Sequence, residues 1–392
     1  MEIREIQSRL IEHEIDGWLL YDNHASNRFA RELLNIPPHL VITRRFFYWI
    51  PAKGEPRKLV HLIESDSLNF LPGVQQLYLS WAQLEQELKL LLGDAKRVAM
   101  EYSSMGANPY ISVVDAGTIE MVQALNVEVV SSDDLLQHFT SVLTESQIES
   151  HLRAASVLEE TIANVWEIIA QRLKEGKRIT EYDVQNFIVS EFTAQKCITE
   201  DGPTCAVNGN SACPHYMATK QSALEIQIGD FILIDLWCKL DVPHSIYADI
   251  TRVAVASSEP TPRQQEIFEV VKEAQTKAYE FIFARFAAGE KVRGYEVDDV
   301  CRNYIEERGF GDKFIHRTGH NIDTNVHGVG ANLDNLETSD RRKILPCTCF
   351  SIEPGIYLSG EFGVRLEHDV LVRADRTVQI TGGKEENIYC LL

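Results

Sequence analysis

Cysteine is scarce and one-sided in this 392-residue chain: there are eight, the first at Cys197, and no Cys-x-x-Cys pair. A disulfide framework is therefore not what holds so large a chain together, and buried reduced thiols in a cytoplasmic protein are expected. Positive charge is also in deficit, with 38 Lys and Arg against 58 Asp and Glu and a formal net charge of -20. Such a chain repels phosphate backbones and anionic lipid, which argues against nucleic acid and membrane surfaces as partners. No apolar run approaches the length of a bilayer span, and "MEIREIQSRLIEHEIDG" lacks the apolar core of a signal peptide. What is present, 44% hydrophobic and 24% charged residues over a length suited to two domains, is an ordinary globular composition.

The first 143 residues alternate helix and strand patterns and read as an α/β domain. "EIREIQSRLIEHEIDG" predicts an amphipathic helix closing at Gly17, followed by the strand "WLLYD". "RRFFYWIPA" and "RKLVHLIE" flank the turn "KGEP" as a hairpin, and "AQLEQELKLLLGD" precedes the strand "RVAMEY". No group of His, Cys and carboxylates gathers there, so its role reads as architectural. Thr144 and Gln147 form a capping box that opens a second domain, 144–392, on a long helix. A shift of 113 residues carries that helix, its closing Gly176 and the shorter helix after it onto a second copy of the pattern closing at Gly289. This predicts an internal duplication with two sheets side by side and a cleft between them.

Polar residues interrupt the apolar strands of this domain. "FILIDLWCKLDVPHSIYADITR" holds Asp235 and Asp249, "HRTGHNIDTNVH" holds His316, His320 and His327, and "FSIEPGIYLSGEFGVRLEHDVLV" holds Glu353 and Glu367. Four buried carboxylates at close range raise one another's pKa and cannot all stay ionised without cations. Two divalent metals balance them, and a neutral imidazole completes an N/O donor set suited to manganese, cobalt, zinc or iron. Cys347 and Cys349 form only a Cys-x-Cys without a partner pair.

"LID" with "ADITR", "H…GH…H", "IEPGIY" and "VRLEHD" resemble the pita-bread metallopeptidases, a family that includes prolidase, aminopeptidase P, methionine aminopeptidase and the metal-free creatinase. The likeness covers about residues 145–392, and the preceding domain resembles, more loosely, the creatinase-type N-terminal domain of prolidases and aminopeptidases P. The resemblance implies an α/β fold of two domains, with Asp235, Asp249, His320, Glu353 and Glu367 as metal ligands and Asp249 and Glu367 bridging two ions. It implies catalytic roles for His215 (in "CPHY"), His327, Glu353 and Arg365, and substrate contacts from His215, His316, His327 and Arg365. The implied activity is hydrolysis of Xaa-Pro bonds, in dipeptides as in prolidase or in longer chains as in aminopeptidase P, by a cytoplasmic homodimer with manganese. A metal-free creatinase-like hydrolase and a non-catalytic peptide- or protein-binding relative are the competing readings. Two departures from the family pattern bear on the pocket. Asp235 and Asp249 are 14 residues apart, about three more than usual, and "GHNID" puts Asn321 and Asp323 where small residues are usual. Asp323 is accordingly expected either near the substrate's amino group or as the cap of a turn.

Overall fold

Thr144 accepts a hydrogen bond from the Gln147 amide while Gln147 reaches back to the Thr144 amide, and this capping box starts a 30-residue helix, Glu145–Lys174. The computed structural model in which it lies describes residues 2–392 and divides into two units, Met1–Thr140 and Ser141–Leu392.

The first unit holds a six-stranded mixed sheet in the order Val74–Tyr78, Arg57–His61, Phe46–Pro51, Gly17–Asp22, Arg97–Met100, Glu128–Ser131. The expected hairpin is present, Phe47 facing Leu59. The first helix, Ile3–Glu12, ends earlier than its pattern suggested, because Glu14 takes a left-handed conformation (φ 56°) and turns the chain into the sheet. Gly17 opens the strand instead of closing the helix. A Cβ there would lie 2.2 Å from the Trp49 ring, so only glycine fits.

In the second unit each half contributes a long helix and a shorter one. Glu145–Lys174 and Glu181–Ala194 belong to the first half, and Pro262–Ala287 and Gly294–Glu307 to the second. The shorter helices are both 14 residues long and begin 113 residues apart. Gly176 and Gly289 follow the long helices with φ 64° and 73°, a left-handed helix end that L side chains resist.

Between the helix pairs runs an antiparallel hairpin, Phe231–Leu240 with Ala248–Val255. Its alternate residues point to different cores. Ile232, Ile234, Ile250 and Ala254 pack with Leu158, Val165 and Ile169, whereas Phe231, Leu233, Val253 and Val255 pack with Val271, Ile282 and Val297. Apolar burial on both faces explains why these strands read as continuous hydrophobic runs. Each fully buried aliphatic side chain contributes about 1.5–3 kcal/mol. The aspartates are the exceptions to that pattern, and they lie on the face turned to the second core.

Candidate metal centre

Asp235 stands opposite Thr251 in the hairpin, and Asp249 opposite Trp237. An antiparallel bridge between Thr251 and Glu367 joins the hairpin to the second half, where Glu353 follows the strand Thr348–Ile352 and Glu367 precedes His368–Val372. Asp249, His320 and Glu367 each bring one ligand atom into a group spanning no more than 4.8 Å. His320 Nε2 lies 3.8 Å from Asp249 Oδ2 and 3.3 Å from Glu353 Oε1, so Glu353 borders the same space.

Several side chains aim this group. Thr251 Oγ1 donates to Glu367 Oε2 at 2.7 Å, and the Asp249 amide donates to Asp369 Oδ2 at 2.9 Å. Ser351 Oγ accepts from the His320 amide and donates to Glu353 Oε1 at 3.2 Å. His320 Nδ1 lies 3.2 Å from the Asn321 carbonyl, which turns Nε2 toward the carboxylates, the usual way a ligating imidazole is oriented.

Burial, and then the repulsion of Glu367 and Asp235, raises the Asp249 carboxyl well above its ordinary range. Burial followed by Glu353 and Asp235 does the same to Glu367. Glu353 is pushed up to about 7, chiefly by burial and against the pull of Arg365. Burial and the neighbouring His327 hold the His320 imidazole well below its ordinary value. Asp235 Oδ1, Asp249 Oδ1 and Glu367 Oε1 are buried with no hydrogen-bond partner. Unpaired carboxylate oxygens converging beside a neutral imidazole are the donor set of a hard-to-borderline divalent cation, so the residues present fit metal.

The other expected site residues divide. His327 stacks edge-on against His320 with ring centroids 4.4 Å apart, and its imidazole is pushed down to about 4 by the surrounding protein, then by Arg317 and His215. His215 is exposed, on a loop shaped by Glu181. That buried carboxylate accepts from the Val207 and Leu224 amides and from Tyr216 Oη, each at 2.7 Å, and from Asn210 Nδ2 at 2.9 Å. The remaining three have protein partners. His316 places Nδ1 2.7 Å from the Arg317 carbonyl and Nε2 2.7 Å from Tyr357 Oη, so both ring nitrogens are engaged. Arg365 is 4% exposed; its guanidinium pairs with Asp235 and donates to Thr251 Oγ1 at 3.1 Å and Tyr357 Oη at 3.2 Å. These contacts aim Asp235.

Asp323 likewise caps its own turn. It is 4% exposed, with Oδ1 accepting from the Asn325 amide at 2.7 Å and Oδ2 from the Val329 amide at 3.0 Å. Asn321 faces the same loop, donating to the Cys349 carbonyl and accepting from the Gly330 amide, both at 2.9 Å. Glycine provides the room: a Cβ on Gly328 would lie 2.3 Å from Asn321 Oδ1, and one on Gly330 2.7 Å from its Cγ. The two departures from the family pattern turn out to touch each other. The Tyr247 amide of the longer hairpin donates to the Asp323 carbonyl at 3.1 Å, and Lys239 Nζ donates to the Thr324 carbonyl at 2.7 Å. Asp323→Gly should therefore lower thermal stability by about 1–3 kcal/mol, the cost of leaving buried amides unpaired. Relative rates on Ala-Pro and acetyl-Ala-Pro should stay within about twofold. A tenfold change in that ratio, about 1.4 kcal/mol, would restore the substrate role.

Residues that pattern reading passed over are Thr251, Tyr357 and Asp369. All three lie inside the quoted segments "ADITR", "IEPGIY" and "VRLEHD", where two hydroxyls and a further carboxylate are the signal.

A carboxylate–histidine centre at the seam of two helix-backed sheets defines a metallohydrolase, and the family model for Metallopeptidase family M24 matches residues 149–374. The chain belongs to that family. An Xaa-Pro dipeptidase of Pyrococcus furiosus is 30% identical over 256 residues, 65% of this chain and 67% of that protein. An Xaa-Pro dipeptidase of Lactobacillus delbrueckii subsp. lactis is 29% identical over 73% of this chain and 71% of its own length. Among solved structures, dipeptidase PepE from Mycobacterium ulcerans superposes with a TM-score of 0.68 at 19% identity, covering 99% of this chain and 96% of its own. The X-prolyl aminopeptidase of Caenorhabditis elegans, described as a cytosolic enzyme with a di-nuclear active site, gives 0.63 at 17% identity over 97% of this chain and 61% of its own. These likenesses establish the fold as that of the prolidase and aminopeptidase P enzymes. No helix among the described residues is long and apolar enough to cross a membrane.

Proposed function

We propose that this M24 peptidase hydrolyses Xaa-Pro bonds with two divalent ions, manganese foremost, held by Asp235, Asp249, His320, Glu353 and Glu367. The observation that carries the metal centre is the convergence of Asp249, His320 and Glu367 around buried carboxylate oxygens that lack partners. The Xaa-Pro specificity rests on the named activity of the relatives. Dipeptides are favoured over longer chains, as the short 14-residue separation of Glu353 and Glu367 resembles that of compact prolidases. The prior case for a non-catalytic binding protein was the "GHNID" segment, and Asn321 and Asp323 are spent on their own loop. A homodimer in the cytoplasm, with residues 1–143 as a creatinase-like domain, belongs to the same reading, as does an internal duplication behind the 113-residue offset.

Bound divalent ions supply a water of lowered pKa and polarise the scissile carbonyl. The chain's own groups do the rest. Glu353, bordering the space between His320 and Ser351, takes the proton of the attacking water and passes it to the leaving nitrogen. That transfer matters for proline, whose amide nitrogen carries no hydrogen and must gain one to leave. His327 and His215 donate to the carbonyl oxygen as charge grows on it. Arg365 and Thr251 act as positioning residues, holding Asp235 and Glu367.

Hydrolysis of Ala-Pro and Ala-Pro-Ala, with manganese and after chelation, tests the reading. Ala-Pro should be the faster substrate and chelation should abolish turnover of both. Preference for Ala-Pro-Ala would favour the aminopeptidase P alternative, and metal-independent turnover would overturn the proposal. His215→Ala should lower kcat by roughly 10²-fold at unchanged metal content. Loss of metal in that variant would make His215 a ligand instead.

A further inference from the structure

A second group of ligand-type side chains shares no member with the five above and adjoins them where the Asp249 amide donates to Asp369. His151 comes from the helix Glu145–Lys174, Cys349 from the strand Thr348–Ile352 and Asp369 from His368–Val372. All three are fully buried, and one ligand atom of each lies within 4.8 Å of the others. Register explains the grouping. Asp369 stands opposite both Ser351 and Thr381 on its neighbouring strands, so Cys349, Asp369 and Thr381 project from one face of the sheet. The helix carrying His151 closes over that face.

We propose that His151, Cys349 and Asp369 form a further metal site, for one zinc-like cation, separate from the dinuclear centre. The His151 tautomer favours it. Nδ1 lies 2.7 Å from the Tyr247 carbonyl, which can only accept, so the proton sits on Nδ1 and Nε2 keeps its lone pair. A backbone carbonyl behind the ring is a common support for an imidazole that ligates metal. Cys349 Sγ lies 3.5 Å from Nε2 and 3.8 Å from Nδ1, beside the imidazole ring, so the thiol must swing toward the Nε2 lone pair to share an ion with it.

The independent sign of a missing ligand is Asp369. Its Oδ2 accepts from the Asp249 amide, but Oδ1 has no hydrogen-bond partner, and no ion pair to Asp369 is found among the described residues. A fully buried carboxylate oxygen with neither donor nor cation is costly, and a metal relieves that cost. On binding, the Cys349 thiol gives up its proton to solvent. Thiolate and carboxylate then balance the two positive charges of the ion. Thr381 Oγ1, 2.7 Å from Nε2, now donates to that nitrogen and would rotate away, leaving a fourth position for its own oxygen or a water. Sulfur and nitrogen together select zinc or cobalt over manganese, which prefers the all-oxygen-rich centre nearby.

Because the group is closed to solvent, the ion would enter as the chain folds. The test therefore expresses the full chain in medium supplemented with zinc or with cobalt and counts ions per chain. Wild type should hold about one ion more than Cys349→Ala, whose turnover of Ala-Pro should stay within about twofold. In the cobalt-grown protein a sulfur-to-cobalt charge-transfer band should appear in the near ultraviolet and vanish in Cys349→Ala. The dinuclear centre cannot supply that band, since its donors are nitrogen and oxygen only. This outcome does not depend on the peptidase reading, which could fail while the band remains. Equal ion counts with no band in wild type would overturn the site, as would a band that persists in the variant. Should Cys349→Ala fail to fold, Cys349→Ser takes its place, and a band that survives in it, or is absent from wild type, decides against the proposal.

Discussion

Asp249→Asn and Glu367→Gln should each reduce kcat/KM for Ala-Pro by at least ~10³, equivalent to about 4 kcal/mol of barrier, and drop metal content below one ion per chain in the dinuclear centre. Both carboxylates touch the shared space with His320, and an amide cannot supply the negative charge that holds a divalent cation there. The same variants should be more stable than wild type once both are stripped of metal. Burial and mutual repulsion raise the wild-type pKa values of these groups, and a neutral amide removes one charge from the cluster. Lower activity with higher metal-free stability separates a lost ligand from a lost fold. Near-wild-type turnover in either variant would sink the two-metal account.

Stripping the metal should also make stability depend strongly on pH, and in an unusual direction. Asp249, Glu353 and Glu367 have folded-state pKa values raised above their unfolded ones, so between about pH 4 and 7 the folded chain binds more protons. Stability of the metal-free protein therefore falls as pH rises through that window. Glu353 alone, raised from 4.5 to about 7, accounts for about 3 kcal/mol. For a unit of this size that is roughly 6–12 °C in Tm. Metal-free protein should melt higher at pH 5 than at pH 8, and the gain from restoring metal should be larger at pH 8. Glu353→Gln should flatten the dependence. A metal-free Tm that is the same at both values would mean that the carboxylates do not repel one another as the geometry requires.

How much of this was legible in the chain depends on how local each cause is. The capping box at Thr144 and Gln147 needs four adjacent residues, and it was readable. So was the hairpin around "KGEP", where turn residues and flanking apolar runs suffice. The carboxylates stood out because each breaks an apolar strand. What the sequence could not disclose is where polar side chains turn once long-range partners arrive. Asp323 could have faced substrate or its own turn, and the outcome depends on the space left by Gly328. Arg365 lies two residues before the family's last ligand in sequence, yet its guanidinium is claimed by Asp235, 130 residues away. The helix bearing Ile3 fell short of its predicted length for the converse reason: no glycine marks its end, and Glu14 bears the left-handed turn itself.

The bridge between Thr251 and Glu367 has a consequence for the life of the newly made chain. Asp235 and Asp249 leave the ribosome more than a hundred residues ahead of Glu353 and Glu367, and the hydrogen bond from Thr251 to Glu367 spans 116 positions. At synthesis rates of about 5–20 residues per second, the gap is roughly 5–25 s. During it the first hairpin has neither Arg365 nor the second pair of carboxylates. A chain cut short before Glu353 would carry only part of the proposed ligand set. On the proposed ligand set, competence to hydrolyse peptides arrives only once both halves have been made and folded together.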